Sequence, residues 1–137
     1  MTVLGYVPGV FDMFHIGHLN ILRRASEHCD RLMVALTTDD YALSRKGKLP
    51  VVPYAERLQI VSEIRYVDEV VPQTNPDKIE AWEHHRYNAI FVGDDWRGTP
   101  IWDRFEPQFA LRGVQVFYFP YTRHTSSTAL RAKVFSG

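Results

Sequence analysis

The amino-acid sequence predicts an α/β fold built on a doubly wound parallel sheet, in a single domain over residues 1–137. Three observations carry this. Five short apolar runs, at residues 3–7, 32–36, 67–71, 89–92 and 114–119, alternate with stretches of helical periodicity. The runs are continuously apolar, as strands covered on both faces are. The first run empties into a glycine-bearing turn that opens a helix, and sheets of this kind bind ligands at the carboxyl ends of their strands, where the strand order reverses.

Each helical stretch has its own signal. Over residues 17–29, Leu19, Leu22, Ala25 and Cys29 fall at steps of three, three and four, which is one buried helix face. Over residues 54–65, Leu58, Val61 and Ile64 repeat at steps of three, and Ile60 widens the face. Further helices are expected at residues 77–86, 102–111 and 127–134. The segment 44–53 is basic and proline-bearing and reads as a mobile loop.

Composition narrows the function classes. A hydrophobic fraction of 45% and a charged fraction of 23% are those of an ordinary globular domain. A formal net charge of zero gives no electrostatic footprint for nucleic acid, so phosphate recognition has to come from a local site. No run approaches the ~18 apolar residues of a membrane span. The single cysteine, Cys29, excludes an intramolecular disulfide and is expected as a buried small hydrophobe. A cytoplasmic location is the expectation.

The first turn reads Pro8-Gly9-Val10-Phe11-Asp12-Met13-Phe14-His15-Ile16-Gly17-His18. Gly9 and Gly17 permit close backbone approach, and a helix N-terminus offers unpaired N–H groups to phosphate. His15 and His18 sit beside that end, where an imidazole can donate to phosphate oxygens as charge builds. Taken alone, two histidines three apart would be surface residues or half a metal site, but no carboxylate or cysteine nearby completes a metal set.

The assembly of strand, Gly9-Val10-Phe11-Asp12 and His15-Ile16-Gly17-His18 resembles the cytidylyltransferases, within the HxGH nucleotidylyltransferase superfamily of Rossmann-like folds. Arg57, the run Ile64-Arg65-Tyr66-Val67-Asp68-Glu69-Val70 and Gly93-Asp94-Asp95-Trp96 look like the glycerol-3-phosphate cytidylyltransferases among them. The likeness runs from about residue 5 to about residue 131.

The resemblance implies CMP transfer from CTP to a small phosphorylated alcohol, glycerol 3-phosphate first, with release of pyrophosphate. His15, His18, Arg45 and Lys48 would form the catalytic set, the last two from the basic run Arg45-Lys46-Gly47-Lys48. The nucleotide would be held by Gly9, Val10, Phe11, Asp12, Gly17, Gly93, Asp94, Thr122, Arg123, Ser126 and Ser127. Arg57, Arg65, Asp95 and Trp96 would meet the second substrate. Mg²⁺ would accompany the triphosphate, held mainly by phosphates and water, with Asp12 a candidate aid. The implied assembly is a homodimer, with Arg65 near its interface and Asp68 partnering an arginine.

Each of these positions has an ordinary structural alternative. Asp94 can accept from an exocyclic amine of cytosine or adenine, or cap a helix. Trp96 can stack on a ligand or pack inside. Arg45 and Lys48 can be a solvated charge run, and Arg57 and Arg65 exposed helix residues. The segment from Thr122 to Thr128 resembles the family's last motif imperfectly, with Tyr121 at the leading arginine position, His124 for glycine and Thr125 for isoleucine. ATP in place of CTP, a different acceptor such as phosphoethanolamine, and a nucleotide sensor without turnover therefore remain as alternatives.

Overall fold

The structure is a computed structural model, and it describes residues 2–120. Its elements run β1 (Leu4–Gly9), α1 (Ile16–Ser26), β2 (Arg31–Thr37), α2 (Asp39–Lys46), α3 (Tyr54–Ser62), β3 (Glu69–Gln73), α4 (Lys78–His85), β4 (Ala89–Gly93), a 3₁₀ turn (Asp94–Trp96), α5 (Pro100–Leu111) and β5 (Gln115–Phe119). All pairings are parallel and the strand order is β3-β2-β1-β4-β5. This is the doubly wound sheet that the alternation predicts. The chain steps from β1 out to β3, and α4 carries it back to β4 beside β1. The order therefore reverses between β1 and β4, and a cleft opens there at the carboxyl ends.

Strand pleating builds two separate cores. Val7, Val34 and Phe91 face α1 and α3, where they meet Leu22, Ala25 and Val61. Their neighbours Tyr6, Met33 and Ile90 face the other way, onto Tyr87 and onto Trp102 and Phe109 of α5. Six of the seven residues of β2 are buried, which is why that strand reads as a continuous apolar run.

The helix predicted over 54–65 ends at Ser62, and three other boundaries also differ from expectation. The helix predicted over 17–29 ends at Ser26, and Cys29 lies beyond it, packed so close beneath Gly5 that a Cβ there would sit 2.8 Å from its sulfur. The strand predicted over 67–71 starts at Glu69, because the Val67 N–H closes a turn onto the Ile64 carbonyl. The predicted mobile loop over 44–53 begins with three helical residues. Its first residues belong to α2, whose N-cap Thr38 accepts from the Tyr41 N–H, whose first turn is acidic and whose last is basic, and which Gly47 ends at φ 73°. The helix predicted over 127–134 lies outside the described residues.

Candidate active site

A cavity of about 950 Å³ opens at the reversal point. Its walls are the β1–α1 turn, the end of α2 with the following loop, the carboxyl ends of β2, β3 and β4, and the starts of α4 and α5. It is the size of a ligand site.

The histidine turn is the most constrained part of it. His15 is the N-cap of α1: its Nδ1 accepts from the Gly17 N–H at 3.0 Å, while His18 Nδ1 accepts from the His15 N–H at 3.3 Å. This is a capping box made of two imidazoles. The rings stack with centroids 3.8 Å apart. A nitrogen that accepts from a backbone N–H carries no proton, so both neutral rings are held in the Nε2–H form. His15 Nε2 is shielded from solvent and has no hydrogen-bond partner among the described residues.

Burial lowers the pKa of His15. Burial, and after it the charge of His15, pushes His18 down to about 3, against a weaker pull from Asp12. The pair is therefore neutral at physiological pH.

The backbone before the helix is strained and clamped. Phe11 and Met13 have φ of 52° and 48°, left-handed values that cost a non-glycine residue about 1 kcal/mol or more each. The buried Phe11 ring covers Gly9, where a Cβ would meet it at 2.7 Å, and packs 5.2 Å from His18. Phe11 thus leaves no room for a Cβ at Gly9. Asp12, expected beside the nucleotide or its metal, is buried, and its two carboxylate oxygens accept from the Val51 and Val52 N–H groups at 2.8 and 2.9 Å. Among the described residues no group of His, Cys, Asp and Glu could hold a metal ion.

Arg57 is neither exposed nor in the cavity wall, against both expectations for it. Its side chain is 1% exposed and donates to the carbonyls of Val52, Val10 and Thr37 and to Asp39 Oδ1, at 2.7–2.9 Å. A planar five-donor group suits such a junction. It bolts the β1–α1 turn, the end of β2 and the segment before α3 together. Arg65 is exposed and lies over Tyr66 in the turn before β3. That turn is at the amino ends of the strands, the opposite edge of the sheet from the cavity. Asp68 partners the Leu32 N–H at 2.8 Å, where an arginine was expected.

The remaining positions divide. Gly9, Val10, Gly17, Gly93, Arg45, Lys48 and Trp96 line the cavity, and the Arg45 guanidinium rests 5.3 Å over the Trp96 ring. Trp96 also packs against Trp102, so it serves inside and at the wall together. Asp94 and Asp95 begin the 3₁₀ turn after β4, exposed and outside the walls. Thr122, Arg123, Ser126 and Ser127 lie outside the described residues.

One wall residue escaped the sequence reading. Lys78, at the start of α4, donates to Gln73 Oε1 at 2.7 Å, and Gln73 Nε2 donates to Thr37 Oγ1 at 2.8 Å. All three residues line the cavity. Burial, then Arg45, pushes the Lys78 pKa down to about 8, with Asp77 opposing. The signal was a lysine in the first turn of a helix, where the dipole disfavours a cation.

With this geometry in view, the profile of the cytidylyltransferase-like family matches residues 6–133. The chain belongs to that family. It is 35% identical over 127 residues to the glycerol-3-phosphate cytidylyltransferase of Bacillus subtilis (strain 168), covering 92% of each chain. It is 32% identical over 128 residues to the enzyme of that name from Staphylococcus aureus (strain NCTC 8325 / PS 47), covering 93% of this chain and 91% of the relative. A crystal structure of the lipopolysaccharide core biosynthesis protein from Thermoplasma volcanium GSS1 superposes with a TM-score of 0.73 at 23% identity, over 89% of this chain and 98% of that one. That likeness establishes the fold. Family membership makes the chain a nucleotidyltransferase, the class expected from the histidine turn. No helix among the described residues is long and apolar enough to cross a membrane.

Proposed function

We propose that the protein transfers CMP from CTP to glycerol 3-phosphate, giving CDP-glycerol and pyrophosphate. The observation that carries this reading is the two-imidazole cap at a helix N-terminus in the wall of a cavity of nucleotide size. Relatives that bear the activity in their names, matched over nine-tenths of both chains, support the choice of substrates.

In this reading an oxygen of the acceptor phosphate attacks the α-phosphorus of CTP in line. The bond from that phosphorus to the β-bridging oxygen breaks, and pyrophosphate leaves with the electron pair. His15 and His18 donate to phosphate oxygens as charge accumulates, so catalysis is positioning plus electrostatics. Arg45, released from Trp96, and Lys48 balance the remaining charge, with Arg123, Thr122, Ser126 and Ser127 completing the nucleotide site from the far end of the chain. Asp94 is assigned to the base.

Asp12 lines the cavity, and both its carboxylate oxygens accept from the backbone of the loop at 51–52. Mg²⁺ is taken to enter with the triphosphate as part of the substrate. A homodimer and a cytoplasmic location complete the proposal.

The test is pyrophosphate release from purified protein given Mg²⁺, glycerol 3-phosphate and each of CTP, ATP, GTP and UTP. Release with CTP alone, and only with acceptor present, is expected. Release with ATP would make the protein an adenylyltransferase. Silence with every nucleotide would reject the acceptor.

A further inference from the structure

Lys78 is a cation in an unfavourable place. It is half-buried, which disfavours charge, and stands in the first turn of α4, where the helix dipole is positive. Arg45 adds like charge from the same wall. Its hydrogen bonds go to neutral oxygens, Gln73 Oε1 at 2.7 Å and the Pro76 carbonyl at 3.5 Å, and it forms no ion pair with any described residue. The adjacent carboxylate of Asp77 is occupied in capping α4, accepting from the Ile79 and Glu80 N–H groups. Gln73 cannot turn to withdraw its oxygen, because its amide nitrogen is held by the buried hydroxyl of Thr37. The fold therefore fixes a positive charge against the cavity with no ion-pair partner among the described residues.

Its position says which ligand it serves. Thr37 directly follows Leu36, and Leu36 pairs with Gly9 at the head of the histidine turn. The Thr37–Gln73–Lys78 chain thus lies at the carboxyl ends of β2 and β3, in the wall of the cavity that the histidines also line. Arg45, whose charge acts on Lys78, rests 5.3 Å over Trp96, a residue assigned to the second substrate.

We propose that Lys78, positioned by Gln73 and Thr37, is the specificity-determining cation of the acceptor half of the cleft, admitting phosphorylated acceptors with a neutral or anionic tail and excluding those that carry an ammonium. The inference rests on the transferase reading above and adds a rule of selection to it. An ammonium beside Lys78 and Arg45 meets two like charges in a partly desolvated site, which costs far more than in water.

The experiment uses two acceptors of similar size, glycerol 3-phosphate and phosphoethanolamine, with saturating CTP and Mg²⁺. Wild type should favour glycerol 3-phosphate by about 100-fold in kcat/KM. Lys78→Met should raise KM for glycerol 3-phosphate by about tenfold or more, leave KM for CTP unchanged and collapse the preference. Lys78→Glu should gain turnover of phosphoethanolamine in absolute terms. Thermal melts establish that each variant is folded, and Lys78→Gln, which keeps a donor toward Gln73, replaces the methionine variant if that one is not. An equal loss with both acceptors, or a raised KM for CTP in place of the acceptor, overturns the proposal and gives Lys78 a structural or nucleotide role. Calorimetric titration with each acceptor separates this failure from that of the transferase reading. Even without turnover, wild type must bind glycerol 3-phosphate more tightly and Lys78→Met must lose the difference; equal or absent binding in wild type sinks the selection rule.

Discussion

The turns after β1 and after β4 leave adjacent strands at the same end of the sheet, yet they are held in different ways. The first is tied from every side: two imidazoles cap the helix, Asp12 clamps it to the loop at 51–52, and Arg57 reaches the Val10 carbonyl from a helix 47 residues away. The second has no side-chain cap at Gly93 and is closed by its own backbone, with the Arg97 and Thr99 N–H groups donating to the Asp94 and Trp96 carbonyls at 3.2 Å. Its acidic pair is exposed, and its tryptophan leans on Trp102 and Arg45. Groups that act on a developing charge need fixed geometry, and the rigid turn supplies it. Groups that meet a base or a sugar tolerate adjustment. Within one cleft, the protein concentrates strain and cross-links on the side where the reaction occurs.

Four experiments press on this contrast, the largest effect first. Arg57→Met leaves three carbonyls and a carboxylate without their donor, so stability should fall by about 3–5 kcal/mol. Urea unfolding measures it, and a loss below about 1 kcal/mol would show that the turn holds itself. His15→Ala should lower kcat by about 10²–10³-fold, with CTP affinity much less affected. A kcat within a factor of a few of wild type would move the catalytic role away from the rigid turn.

The third tests the proton state of the pair. The folded pKa of His18 lies below the ~6.5 of an unfolded histidine, so the unfolded chain takes up the proton first as pH falls. Stability should be complete above pH ~6.5 and decline toward pH 3, by about 2 kcal/mol at pH 5 from His18 alone. Urea melts at both pH values measure the slope, and His18→Gln should flatten it. The smallest effect belongs to the other turn. Asp94→Ala should shift stability by no more than about 0.5 kcal/mol while weakening discrimination between CTP and UTP. A large loss of stability there would erase the contrast between the turns.

Much of this was legible in the sequence because it depends on local spacing. The five strands follow from apolar runs, and the histidine turn from residues within one short stretch. α2 was also legible, since Thr38-Asp39-Asp40 is a capping sequence and Gly47 a stop, but its few apolar residues hid it within a basic loop. The roles of Arg57 and Asp12 were not legible. Their partners lie 39–47 residues away for the turn contacts, and no local pattern states that an arginine in an amphipathic helix will be swallowed by three carbonyls. Arg65 was misplaced for a related reason: a motif's residue types say nothing about which edge of the sheet they reach. Lys78 carried a local clue, the wrong charge for its helix end, which gains its meaning once Gln73 and Thr37 are seen to hold it.

The seam between β1 and β4 has a consequence for assembly. β1 matches β2 through six residue pairs, but β4 through only two, Gly5 with Ala89 and Tyr6 with Ile90, before the strands part. Joining them closes a loop of more than 80 residues, as the Leu4 N–H bond to Asn88 shows. Contacts so distant in sequence form late and slowly. The β1–β3 half can collapse on α1 and α3 before β4, α5 and β5 dock along this short seam. The same parting that opens the cleft leaves the two halves of the sheet joined by a short seam, and a molecule bound across it acts as a staple between them.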